Sequence, residues 1–313
     1  MSVTITGGIS FSGGVGIVAA PPSVATAAWI AGGTPGYSTI QRITFATDTA
    51  TASLRGSLPY GMFGGAGVGT LTYGYFGGGY AGSPISLSSS INRVTYASDT
   101  GTATTRGLLS IAKSMSGTGA VGNSTYGWFN GGNGASPRIS NVDRITYSND
   151  TATASNRGPL SAGRYALASV GNDNYGWCAA GFITTSLVDR IDYANDTATA
   201  SVRGPLNGAT YKVSGSSDGT SYGWIGGGNP GGSTVQRITY SNDTATASTR
   251  GPLTTSRNSI NASGDNSYGY FTGGNPTTSL VDRITYSNDT ATATARGPLA
   301  LAVYSAGAAA GLQ

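Results

Sequence analysis

One segment of this chain returns six times. Arg42, Arg93, Arg144, Arg190, Arg237 and Arg283 open near-copies of it, and thirteen residues later each copy carries a second arginine: Arg55, Arg106, Arg157, Arg203, Arg250 and Arg296. The clearest copies read VDRITYSNDTATASNRGPL and VDRITYSNDTATATARGPL, and successive copies start 51, 51, 46, 47 and 46 residues apart. A unit of that size cannot bury an apolar face alone, so self-similarity at this period means units packed on their neighbours in a propeller, solenoid or array.

Within a unit the residues predict strands. In the third copy these are YGWFNGG (Tyr126–Gly132), VDRITYS (142–148), TATASNR (151–157) and, after GPLSAG, RYALASVG (164–171). Each is short and rich in β-branched, aromatic and small residues, with Gly, Pro, Asn and Asp between, which describes an antiparallel meander. The Ser-Asn-Asp-Thr link between the middle two reads as a tight hairpin turn. No helical period competes. The expectation is an all-β chain, a six-bladed β-propeller with four-stranded antiparallel blades. The first copy enters at ATAAWIAGG (25–33) and lacks its leading strand, while the chain ends on ALAVYSAGAAAG (300–311), a strand with nothing after it. The C-terminal strand is therefore predicted to close the first blade, with the propeller spanning residues 25–313. Residues 1–24 stand outside the repeat as a Gly-rich, uncharged, strand-like arm, expected to pack on the propeller flank or to add to a sheet of a neighbouring subunit.

Strand alternation assigns the charges. Turning the hairpin at Asn149 and Asp150 sets Arg144 opposite Ser155 and Val142 opposite Arg157, so both repeat arginines leave one side of the sheet and residue 143 leaves the other. That position holds Gln41, Asn92, Asp143, Asp189, Gln236 and Asp282, each with a side-chain oxygen. These oxygens are the expected acceptors for the arginines of the adjacent blade, in a ring of inter-blade hydrogen bonds. Along the propeller axis the arginines and lysines fall to one rim, and the hairpin aspartates Asp48, Asp99, Asp150, Asp196, Asp243 and Asp289 to the other. Lys113, Arg138, Arg164, Lys212 and Arg257 lie outside the repeat-arginine positions. They form the predicted partner-binding rim, suited to an acidic polysaccharide or an acidic protein surface.

Composition removes most chemistry. The chain has no histidine and no glutamate, and 13 aspartates supply all its side-chain acid. There is no imidazole base or nitrogen metal ligand, and an enzyme, a cofactor or a metal site is not expected. The single Cys178, in YGWCAAG where other copies have Phe or Ile, reads as a buried apolar residue. The glycine triplets at 77–79 and 226–228 end strands without a following Lys-Ser/Thr or helix, unlike a phosphate loop. No apolar run reaches the ~20 residues of a membrane helix, and the first positive charge is Arg42, so neither membrane insertion nor a basic-start leader is expected. No nucleic acid is expected as a partner.

The strand ending in Gly131-Gly132, the strand ending in Tyr147 before an Asn-Asp turn, and Gly-Pro-Leu followed by Arg164 together resemble the Kelch repeat. The tryptophan of the Kelch fourth strand is replaced by Ala154 and Ser155, and the tryptophans here, Trp29, Trp128, Trp177 and Trp224, lie in the second strand. The wording DRITYSNDTATAS-RGPL is also similar to repeats in virion proteins of marine bacteriophages, particularly those of cyanobacteria. This second resemblance implies a virion location and a particle component, decorating head, tail or fibre and binding host-surface glycan, with the arm contacting other virion proteins. The Kelch resemblance alone implies instead a soluble, cytoplasmic scaffold for an acidic partner.

Overall fold

The computed structural model describes residues 25–311 apart from 83, 116–118, 137 and 231; the predicted N-terminal arm, 1–24, lies outside the described residues. Seven antiparallel sheets account for the strands. Six are four-stranded meanders, numbered here 1 to 6 in chain order. Sheet 3 is typical: Ala120–Gly122 innermost, then Tyr126–Gly132, Ile139–Thr146 and Ser155–Arg157. Sheet 1 takes its first strand from the far end of the chain, Gly307–Ala310, which pairs with Ala27–Ala31 ahead of Thr39–Thr44 and Ser53–Ser57. The predicted C-terminal closure is thus present. Among the described residues no sheet closes on itself. Instead the six innermost strands are neighbours in succession, with Gly307–Ala310 beside both Asn261–Gly264 of sheet 6 and Ala66–Gly69 of sheet 2, a propeller-like arrangement.

The sequence predicted six sheets, and the seventh is a correction. It has three two-residue strands, Met62–Phe63, Tyr80–Ala81 and Ser86–Leu87, built from the links around sheet 2. Two-residue strands carry no readable alternation, so their pairing is decided only when the two links meet.

Among the described residues the apolar core is divided and not central. Six apolar clusters each join residues of two successive sheets: Val121, Trp128, Val142 and Leu160 of sheet 3 and its outgoing link, for example, pack on Cys178, Ile191, Tyr193 and Ala200 of sheet 4. A second-strand aromatic belongs to each of these contacts. Trp128 lies flat on Tyr193 of the next sheet with ring centroids 3.9 Å apart, and Trp29, Trp177 and Trp224 repeat this on Tyr96, Tyr240 and Tyr286. Indoles in the second strand therefore take part in the inter-sheet packing of four sheets.

Local chemistry explains the repeated text. The predicted pairs Arg144–Ser155 and Val142–Arg157 are present. The hairpin is wider than predicted, because Tyr147–Asn149 coils into one 3-10 turn with Asp150 as its C-cap, and the fourth strand begins only at Ser155. The glycine after the second repeat arginine is there for approach, not for its dihedrals: its N–H donates to the hairpin carbonyl of the next sheet, as Gly158 does to Asp196 at 2.8 Å, and a Cβ on Gly158 would collide with the Ala198 carbonyl oxygen.

Candidate functional site

The most highly organised polar groups are the hairpin aspartates. Each is 3–8 % exposed, accepts hydrogen bonds from an aromatic side chain and from the first repeat arginine of the preceding sheet, and has the second repeat arginine within salt-bridge distance. Asp196 accepts from the Trp128 indole at 2.9 Å and from Arg144 at 3.0 Å, with Arg157 at 3.6 Å. Asp99, Asp150, Asp243 and Asp289 repeat the cluster with Trp29, Tyr75, Trp177 and Trp224 and their arginine pairs. Asp48 closes the circle, accepting from Tyr270 and Arg283 of sheet 6 at 2.9 and 2.8 Å. Burial alone would raise the Asp99 and Asp150 carboxyls. The Arg55 and Trp29 hydrogen bonds on the first, and the Arg106 hydrogen bond and Arg93 charge on the second, outweigh it and hold both below the ordinary aspartate value. Burial and then Asp150 push the Tyr75 phenol far up, so it remains a donor.

This corrects two expectations. The arginine ring exists, but its acceptors are the hairpin aspartates and not the oxygens at Gln41, Asn92, Asp143, Asp189, Gln236 and Asp282. The charges also do not separate into a basic and an acidic rim, since repeat arginines and hairpin aspartates stand within salt-bridge distance. A buried carboxylate needs nearby positive charge to offset its lost hydration, and long arginine side chains reach across the sheet boundary to supply it.

The five residues of the predicted basic rim divide. Lys113, Arg164 and Arg257 are buried, at 0, 2 and 3 % exposure, and pair with Asp143, Asp189 and Asp282 at 3.1, 2.8 and 2.8 Å. They are structural cations, not a docking rim. Arg164 and Arg257 each place a second guanidinium nitrogen on a second-strand carbonyl, Cys178 and Phe271. Burial pushes the Lys113 ammonium down to about 8, with Asp143 opposing. The signal was present in the sequence. All three cations stand four residues after the leucine that follows the second repeat arginine, and they occur where the residue before the first repeat arginine is Asp. Where that residue is Asn92, Gln236 or Gln41, the cation position holds Met62, Thr210 or Val303. Gln236 and Gln41 then accept instead from the backbone N–H of Asn207 and Leu301.

Arg138 and Lys212 remain available, Arg138 exposed and Lys212 half-buried. Both lie on the face formed by second-to-third-strand links and sheet-to-sheet links, which meet in short bridges such as Tyr165 with Phe182. Tyr165, Phe182 and Tyr211 form a half-buried aromatic run there, with centroids 5.2 and 5.3 Å apart, and Lys212 Nζ stands 5.7 Å over the Tyr211 ring. Ile183 beside them is 62 % exposed. Burial, then Tyr211 and Tyr80, raise the Tyr165 phenol, while the Arg138 charge opposes the rise. The sequence reading missed the aromatics because they sit in links without period. A neighbouring cleft of about 320 Å³ is lined by Pro35, Tyr60, Phe63, Tyr80 and Ile85. At the axis, Gly67, Ala120, Ser169 and Gly215 enclose only about 10 Å³, room for no more than one water. Cys178 is fully buried, and desolvation pushes its thiol up to about 12, the reverse of what a nucleophile requires.

Comparison with known protein families and with characterised proteins found no match. Among the described residues no helix is long and apolar enough to cross a membrane.

Proposed function

We propose that the six four-stranded sheets are the blades of a Kelch-like six-bladed propeller that acts as a non-enzymatic recognition module of a phage virion, binding acidic host-surface glycan. The observation that carries the binding half is the link-face patch of Tyr165, Phe182, Ile183 and Tyr211 with Lys212 and Arg138. Aromatic faces offer sugar rings an apolar platform, and two accessible cations suit a sugar carboxylate. The repeat wording supports the particle location. A scaffold for an acidic protein is less well supported, because three of the five cations it rested on are buried in ion pairs.

The test has two arms. Full-length protein on an array of neutral and acidic glycans is expected to retain acidic members, weakening as salt is raised, since exposed charges are screened beyond about 8 Å at physiological ionic strength. Phe182→Ala or Lys212→Ala should reduce retention at least about tenfold, the scale of a lost 1.4 kcal/mol contact. Retention of no glycan, or retention by both variants equal to that of the parent protein, overturns the glycan reading. Immunogold labelling of purified phage particles tests location, and unlabelled particles overturn it.

A further inference from the structure

In five of the six sheets the first repeat arginine lies under a tyrosine ring. The guanidinium carbons of Arg93, Arg144, Arg190, Arg237 and Arg283 stand 4.2–4.5 Å from the centroids of Tyr73, Tyr126, Tyr175, Tyr222 and Tyr268. That tyrosine is always two residues before the aromatic that donates to the hairpin aspartate. In sheet 1 the aromatic is Trp29, and the residue two before it is Ala27. Arg42 keeps its ion pair with Asp99 at 3.2 Å, yet among the described residues no tyrosine stands at the position that covers the other five.

Among the described residues this position is a cleft of about 420 Å³, walled by Ala27, Trp29, Arg42, Leu71 and Tyr96 and bordered by Ala25 and Gly311. Two exposures agree with it. The Arg42 side chain is 27 % exposed against 18–22 % for its five counterparts, and Trp29 is 5 % exposed against 0–1 % for Trp128, Trp177 and Trp224. The first and second strands of sheet 1 come from opposite ends of the domain, so no short hairpin joins them above the cleft as it does in the other sheets. The volume falls within the range of small-molecule sites.

We infer that this cleft is a binding site for a small phenol-type aromatic ligand, seated face-on over the Arg42 guanidinium with its edge toward Trp29, as Tyr126 and Tyr175 sit beside Trp128 and Trp177. The recognition is cation–π attraction, strongest where water is partly excluded, with Leu71 and Ala27 as apolar walls. The ion pair of Arg42 with Asp99 tethers the guanidinium at the cleft before any ring arrives, which lowers the ordering that binding requires.

The test is titration of full-length protein with p-cresol, followed by NMR of the tryptophan indole N–H signals. One of the four signals, that of Trp29, is expected to shift and to saturate on the order of 1–10 mM, as befits a ligand of eight heavy atoms. Ala27→Tyr installs the residue that five sheets already carry and should abolish the shift. 4-Methylcyclohexanol, with the same outline and no π face, should bind at least about tenfold more weakly. The proposal is overturned if p-cresol moves no indole signal, if Ala27→Tyr leaves the shift intact, or if the saturated ring binds equally well.

Discussion

At the residue scale the molecule is governed by where a buried charge finds its counter-charge. The pair Lys113–Asp143 is fully buried, whereas sheet 2 holds Met62 and Asn92 at the same two positions. Lys113→Met alone strands a carboxylate and Asp143→Asn alone strands an ammonium, and each should cost on the order of 3–5 kcal/mol. The double variant reproduces a combination the chain already tolerates and should fall within about 1 kcal/mol of the parent. Urea unfolding of the four proteins measures this; a double variant as unstable as the sum of the singles would show that the two charges do not compensate each other. The residue pairing was legible, since charge at one position tracks charge at the other across six copies. The acceptors of the repeat arginines were not, because a sequence pattern shows which face a side chain leaves and not how far a guanidinium reaches.

At the scale of elements, each hairpin is a connector to the next sheet as much as a turn. The 3-10 turn Tyr193–Asn195 presents Asp196 to the arginines of sheet 3, and the Asp196 carbonyl takes the Gly158 N–H. Gly158→Ala would drive a methyl into the Ala198 carbonyl oxygen and separate the sheets locally. We expect a loss of about 2 kcal/mol or more, within the range of overpacking a tight contact. Gly208→Ala, where a Cβ would meet nothing within 4 Å, should stay within about 0.5 kcal/mol of the parent. Thermal melts of the two variants check the contrast, and equal melting points would remove close approach as the reason for the repeated glycine. Strand existence and register were readable from alternation, because one face of each strand is fixed by burial. The two-residue strands of the seventh sheet have no alternation to read.

At the scale of the whole molecule the last strand decides whether the ring is continuous. Gly307–Ala310 pairs with Ala28–Ala31 residue by residue and lies beside sheets 6 and 2, and Asp48 of sheet 1 binds Arg283 and Arg296 of sheet 6. Removing residues 300–313 should expose the inner edge of sheet 1 together with Ala28, Ile30 and Val281, which share a cluster with Val303, Ala306, Ala308 and Ala310. We expect insoluble protein or the loss of a cooperative transition. A truncated chain that stays soluble and melts with the intact protein would mean that closure contributes nothing to stability.

The sequence by itself determined the number of repeat units, the meander, the strand register and the strand that completes sheet 1, since each follows from periodicity, alternation and turn chemistry acting within tens of residues. Only the tertiary structure decided which atoms the charges meet. Asp196 finds Trp128, Arg144 and Arg157 across a sheet boundary, Lys113 is buried beside Asp143, and among the described residues Arg42, with Ala27 two before Trp29, has no tyrosine ring where its five counterparts have one. The physical reason is range. Backbone pairing is set by neighbours along a strand, whereas a buried charge is settled by whatever donors the adjoining sheet brings within about 3 Å of it.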